Sequence, residues 1–128
     1  MHTKILMSLS AFFLAVLGIG ISFMPQEILA HYGTQTTGPV VLLIQIAGAL
    51  YLGFAILNWT ARSILIGGIY ARPVALGNFL HFAVVTVAGS KAIAHGGIGG
   101  TEIMVVGAMY SAFAVWFGLV LFTHPSQK

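Results

Sequence analysis

The run PVVLLIQIAGALYLGFAILNWTA, from Pro39 to Ala61, decides the fold: it carries no charge, and its polar interruptions are Gln45, Tyr51, Asn58 and Thr60. A helix rises about 1.5 Å per residue and the hydrocarbon core of a bilayer is about 30 Å thick, so roughly 20 such residues cross it. Pro39, following Thr37 and Gly38, suits the first helical turn, where a missing N–H costs nothing. Three more stretches of this kind flank it. One runs from Ile5 to Met24 and stops at Pro25; one runs from Pro73 to Ala94, uncharged as far as Ser90; one runs from Ile103 to Thr123 behind Thr101, a candidate N-cap. Lys91 lies near enough to the end of its stretch to reach outward to the headgroups.

Composition agrees with this reading. Of 128 residues, 59% are hydrophobic and 5% charged, against about 25% charged in a soluble domain. Asp and Cys are absent altogether, which excludes disulfide scaffolds, zinc–thiolate centres and dithiol redox chemistry. The net charge of +3 reflects scarce acids rather than clustered bases, so no nucleic-acid partner is expected. The expected fold is therefore all-α, a transmembrane antiparallel four-helix bundle. It forms one domain over 1–128, with spans at approximately 5–24, 39–61, 73–94 and 103–123. The first stretch follows Lys4 as a signal peptide would, but its apolar run exceeds the roughly 7–15 residues of a signal core, and it reads as a retained helix.

Charge placement orients the spans. With four crossings, both termini and the middle connection share a side, which holds Lys4, Arg62, Arg72 and Lys128; the other side has Lys91 with Glu27 and Glu102. Basic residues favour the cytoplasm, so both termini are expected there. Trp59, Tyr70 and Tyr32 fall near span ends, where interfacial aromatics belong, while Trp116 lies deeper, as a packing residue. Between the first two spans, Pro25, Glu27 and Gly33 mark the start, first turn and end of a short helix. The apolar middle connection, Ser63 to Ala71, is expected in the interface or folded back into the bundle mouth. His95 to Gly100 reads as a flexible glycine-rich turn. Small residues that let lipid-embedded helices approach recur at Ser8, Ala11, Ala15 and Gly18, at Gln45, Ala49 and Gly53, and at Gly107, Ser111, Ala114 and Gly118.

Polar groups at membrane depth are costly and serve as the functional candidates. Tyr51, Asn58 and Arg62 share a face of the second span, and Asn78 and His81 lie one turn apart on the third. Counted inward from the middle connection, Asn58, Asn78 and His81 reach similar depths. These five residues are the candidate ligand-binding set; interhelical hydrogen bonding is the structural alternative. Gln45 reads as a lone interhelical bond. Bis-histidine haem is excluded because only His81 of the five histidines is deep. A metal centre and a carboxylate-driven transporter are excluded because no acid lies within a span.

Phe23-Met24-Pro25, Ile28-Leu29-Ala30-His31-Tyr32-Gly33 and Gly48-Ala49-Leu50-Tyr51-Leu52-Gly53-Phe54 resemble the DoxX-like group of small bacterial four-helix membrane proteins. The run from Asn58-Trp59 and Arg62 through Arg72-Pro73 to Gly77-Asn78 and His81 is similar to a bacterial subset of it. The resemblance implies a four-helix bundle in the bacterial cytoplasmic membrane. It also implies, for some members, association with oxidoreductase systems and quinone chemistry. The chain departs from the redox-associated pattern in lacking Cys and intramembrane acids. The expected function is a non-enzymatic multi-pass protein, an accessory subunit or small-ligand binder with no resident cofactor. Its partners would be the lipid bilayer and either another membrane protein or a second copy. The alternatives are a quinone-linked redox component, with His81 or the Asn amides bonding a quinone carbonyl, and a small transporter or channel.

Overall fold

The computed structural model describes residues 2–63 and 72–123. Among these it is all-α, with no strand: α1 (His2–Phe23), α2 (Pro25–His31), α3 (Gly38–Thr60) closed by a 3-10 turn (Ala61–Ser63), α4 (Arg72–Ala94) and α5 (Thr101–Thr123). Four helices are long and apolar enough to cross a membrane: Thr3–Phe23, Gly38–Ser63, Arg72–Ala94 and Thr101–Thr123. α3, α4 and α5 have 23 residues each, about 35 Å of rise. The surfaces of α1 and α3 suit lipid rather than water, with Phe12 exposed at 71%, Phe23 at 76% and Leu43 at 66%. In water each such side chain would forgo about 1.5–3 kcal/mol of burial. The middle connection lies outside the described residues from 64 to 71, as do Tyr70 and Lys128.

The helix boundaries have local causes. Pro25 disfavours helical backbone at the residue before it, and Met24 leaves the helix at φ −130°. Pro25 then opens α2, with Glu27 in its first turn and His31 in its last, each matching the helix dipole. Gly33 ends it at φ +70°, a conformation open mainly to glycine. The Thr34 N–H donates to the Leu29 carbonyl at 2.9 Å and the Gly33 N–H to that of Ala30 at 3.0 Å, a Schellman termination. α4 ends the same way: Gly96 takes φ +73°, the Gly97 N–H donates to Ala92 at 2.9 Å, and the Gly96 N–H donates to Ile93 at 3.0 Å. His95 Nδ1 adds a contact of 2.8 Å to the Lys91 carbonyl. The glycine-rich turn is thus capped in its first half. Thr101 is already helical, and the Gly100 carbonyl accepts from the Met104 N–H, so the N-cap falls one residue earlier than the sequence suggests.

The chain divides into two compact units, Met7–Arg62 and Met1–Leu6 with Ser63–Lys128. In the first, α1 and α3 run antiparallel, with Ser10 against Asn58 and Gly18 against Gly48. At Gly48 they approach backbone on backbone. A Cβ on Gly48 would lie 3.0 Å from the Ser22 nitrogen and 3.2 Å from the Gly18 carbonyl oxygen, besides meeting Ser22 Oγ. A Cβ on Gly18 would lie 2.8 Å from Leu52 Cγ. Gly18 of the expected stripe is therefore at the contact, but the α3 stripe is displaced by one residue. Gly48 is buried there, whereas Ala49 is exposed and a Cβ on Gly53 would meet nothing within 4 Å.

In the second unit, α4 and α5 form an antiparallel hairpin packed through aromatic rings. Phe82, fully buried, lies 5.1 Å from the rings of Tyr110 and Phe113 and stacks on Phe117 at 5.7 Å. Phe79 meets Phe122 edge-on at 5.6 Å. It fits against α5 because position 118 is glycine, whose Cβ would sit 3.0 Å from Phe79 Cε1. Such ring pairs are worth about 0.5–1.5 kcal/mol each beyond the area they bury.

Candidate functional site

The five candidates fall three on α3 and its terminal turn, two on α4. Within residues 7–62, Asn58 is fully buried and its Nδ2 donates to Ser10 Oγ at 3.0 Å. Ser10, equally buried, donates its own hydroxyl to the Met7 carbonyl at 3.1 Å. The result is a short relay from the α3 amide through a hydroxyl to the α1 backbone. Tyr51, two turns before Asn58, is half-buried. Arg62, one turn after it, engages its own helix end: Nη1 donates to the Trp59 carbonyl at 2.5 Å and the guanidinium lies 3.9 Å over the Trp59 ring. Gln45 Nε2 reaches the Ser22 carbonyl at 3.5 Å, an interhelical contact at the limit of hydrogen-bond length.

Within α4 and α5, Asn78 is fully buried and its Nδ2 donates to the Val74 carbonyl at 2.9 Å, one turn back along its own helix. His81 is half-buried, and its Nε2 lies 3.0 Å from the Tyr110 hydroxyl. Its ring also stands 5.1 Å from that of Phe82. The imidazole thus has a polar partner on one nitrogen and aromatic walls beside it. The phenol can donate to that nitrogen or accept from it, according to the imidazole tautomer.

Ser10 and Tyr110 are the residues that sequence reasoning missed. Ser10 lies off the small-residue stripe of Ser8, Ala11, Ala15 and Gly18, so helix periodicity does not single it out. The Gly18–Gly48 contact, which the structure supplies, brings position 10 to within a turn of position 58 across the α1–α3 seam. Counting outward from the turn at His95 to Gly100 sets position 81 opposite 114, one turn beyond Tyr110, so the contact depends on the reach of the two side chains.

Among the described residues, no buried side-chain nitrogen or oxygen is left without a hydrogen-bond partner. None of their His, Cys, Asp or Glu side chains gather in threes as a metal site requires. Away from their charged terminal turns, the polar groups of the spans include amides, hydroxyls, the His81 imidazole and the phenols of Tyr51 and Tyr110. Their chemistry is exchange of hydrogen bonds with an uncharged partner. No family model, curated protein or solved structure matches the chain.

Proposed function

We propose that this chain is a multi-pass protein of the bacterial cytoplasmic membrane, of the DoxX-like kind. On this reading both termini are cytoplasmic, and it acts by binding, as a small-ligand binder or accessory subunit, rather than by catalysis. The observation that carries this reading is the chemical character of its deep polar pairs. Asn58 with Ser10 and His81 with Tyr110 are neutral and directional, at 3.0 Å each. A site built from such groups selects an uncharged amphiphile by shape and hydrogen bonding. With no Cys in the chain, and with Glu102 confined to the first turn of α5, it has no mid-span group to drive ion exchange or dithiol chemistry. Tyr51 and Asn78 belong to the same candidate set, as does Arg62 at the rim.

The test is extraction in polymer-bounded native membrane discs, followed by mass spectrometry of the bound small molecules and proteins. The wild type is expected to retain a neutral amphiphile or a partner membrane protein, and His81→Ala and Asn58→Ala to lose it. Bulk membrane lipid alone in all three preparations would overturn the proposal. A quinone-linked role is the second reading, favoured by the His81–Tyr110 pair, which could bond a quinone carbonyl. It requires the retained molecule to be a quinone.

A further inference from the structure

The terminal turn of α3 has a feature that the ligand reading leaves unexplained. Arg62 is anchored twice within one turn, through the Trp59 carbonyl at 2.5 Å and over the Trp59 ring at 3.9 Å. Its partners among the described residues are confined to that one residue. The carbonyl and ring lend it partial charges, but neither neutralises a guanidinium. The chain has two acids, Glu27 and Glu102. Within residues 7–62, Glu27 sits in α2, next to the start of α3, and so about 35 Å of helix away from Arg62. Within residues 7–62, Arg62 is therefore an oriented cation at a span end with no carboxylate beside it.

The geometry points to a docking site for the phosphodiester group of an anionic phospholipid on the Arg62–Trp59 turn. A guanidinium presents five N–H donors in a planar fork that matches phosphate oxygens in pairs, and the Trp59 carbonyl takes one of its nitrogens. Because the fork is already held on Trp59, less side-chain freedom is lost when a headgroup binds. Trp59 is 49% exposed, and an indole at a span end belongs at the headgroup level. Inorganic phosphate carries the same anion chemistry. The lipid is favoured because Ile56, one turn back from Trp59 and 65% exposed, continues the surface with an apolar wall for an acyl chain. Zwitterionic lipids share the phosphate, but they bring a cation that the guanidinium repels. This inference needs the spans to lie in a bilayer and is independent of any ligand among the deep polar groups.

Trp59 is itself the reporter, since the chain has two tryptophans and Trp116→Phe removes the other. Full-length Trp116→Phe protein is reconstituted in vesicles of phosphatidylcholine with phosphatidylglycerol, one or the other carrying acyl-chain bromines that quench indole emission. Quenching is expected to show about a fivefold enrichment of phosphatidylglycerol beside Trp59, the scale of one basic residue at an anionic surface. Arg62→Gln should abolish the enrichment, and Arg72→Gln should leave it. Equal quenching by both lipids, or equal loss in the two variants, would overturn the site. Inorganic phosphate should displace the lipid no more than chloride at matched ionic strength; selective displacement by phosphate would overturn the lipid assignment. Should Arg62→Gln fail to insert, Arg62→Lys replaces it. It keeps the charge without the fork, its enrichment should fall, and an unchanged value would overturn the proposal. Failure of wild-type protein to enter vesicles would instead refute the membrane reading beneath it.

Discussion

Replacing Gly48 by alanine should separate α1 from α3. The added Cβ would stand 3.0 Å from the Ser22 nitrogen and 3.2 Å from the Gly18 carbonyl oxygen. Both are backbone atoms that no rotamer change can move, so relief requires the helices to part by about half an ångström. A gap of about 0.5–1 Å forfeits a quarter to a half of each dispersion contact along the seam. It also lengthens the Asn58–Ser10 bond from 3.0 Å. Overpacking of this sort costs about 1–3 kcal/mol. Gly53→Ala is the internal control, because its Cβ meets nothing within 4 Å and alanine is the better helix former by up to about 1 kcal/mol. The assay is reversible unfolding in mixed detergent micelles, followed by circular dichroism across a denaturing-detergent series. Gly48→Ala should lose about 1–3 kcal/mol and Gly53→Ala should be neutral or slightly stabilised. Equal destabilisation of the two, or a larger loss at Gly53, would refute the α1–α3 register.

A double-mutant cycle on Asn58→Ala and Ser10→Ala in the same assay should give a coupling of about 0.6–1.7 kcal/mol, the range for hydrogen bonds between membrane helices; zero coupling would place the two side chains apart. The corresponding cycle on His81→Ala and Tyr110→Phe should give coupling of the same order, and His81→Ala alone should still insert, as a fractionation assay would show. Gly96→Ala, forced into φ +73°, should cost about 1–2 kcal/mol, while Gly99→Ala, with nothing within 4 Å of its Cβ, should cost less in the same unfolding series. A reporter fused after Lys128 should be active only in the cytoplasm, and an external signal would reverse the proposed orientation.

The spans were readable because each depends on one local property, an uncharged run of about 20 residues, and their punctuation is equally local. Pro25, Gly33 and Gly96 act through their own backbone preferences, so α2 and the end of α4 could be placed from sequence. Packing was less legible. Gly48 and Ala49 are adjacent small residues on neighbouring helix faces, and periodicity alone cannot say which one meets α1. Nothing within α3 distinguishes them; the answer lies in what Gly18 and Ser22 present from α1. The same limit applies to partners of buried polar groups. Asn58 and His81 stand out in apolar sequence, whereas Ser10 and Tyr110 are unremarkable residues in membrane helices and gain meaning only from what faces them. Asn78 shows the converse: conspicuous in sequence, it spends at least one amide hydrogen on its own helix, at Val74.

The central claim is that the chain crosses a bilayer four times, and the absence of native Cys allows a direct test. Single cysteines at Thr36, Ser63, Ile98 and Ser126 are labelled in intact cells with a membrane-impermeant maleimide, before and after permeabilisation. The account predicts labelling of Thr36→Cys and Ile98→Cys from outside, and of Ser63→Cys and Ser126→Cys only once the membrane is opened. Labelling of Thr36→Cys and Ile98→Cys from opposite sides, or of all four positions in intact cells, would contradict it.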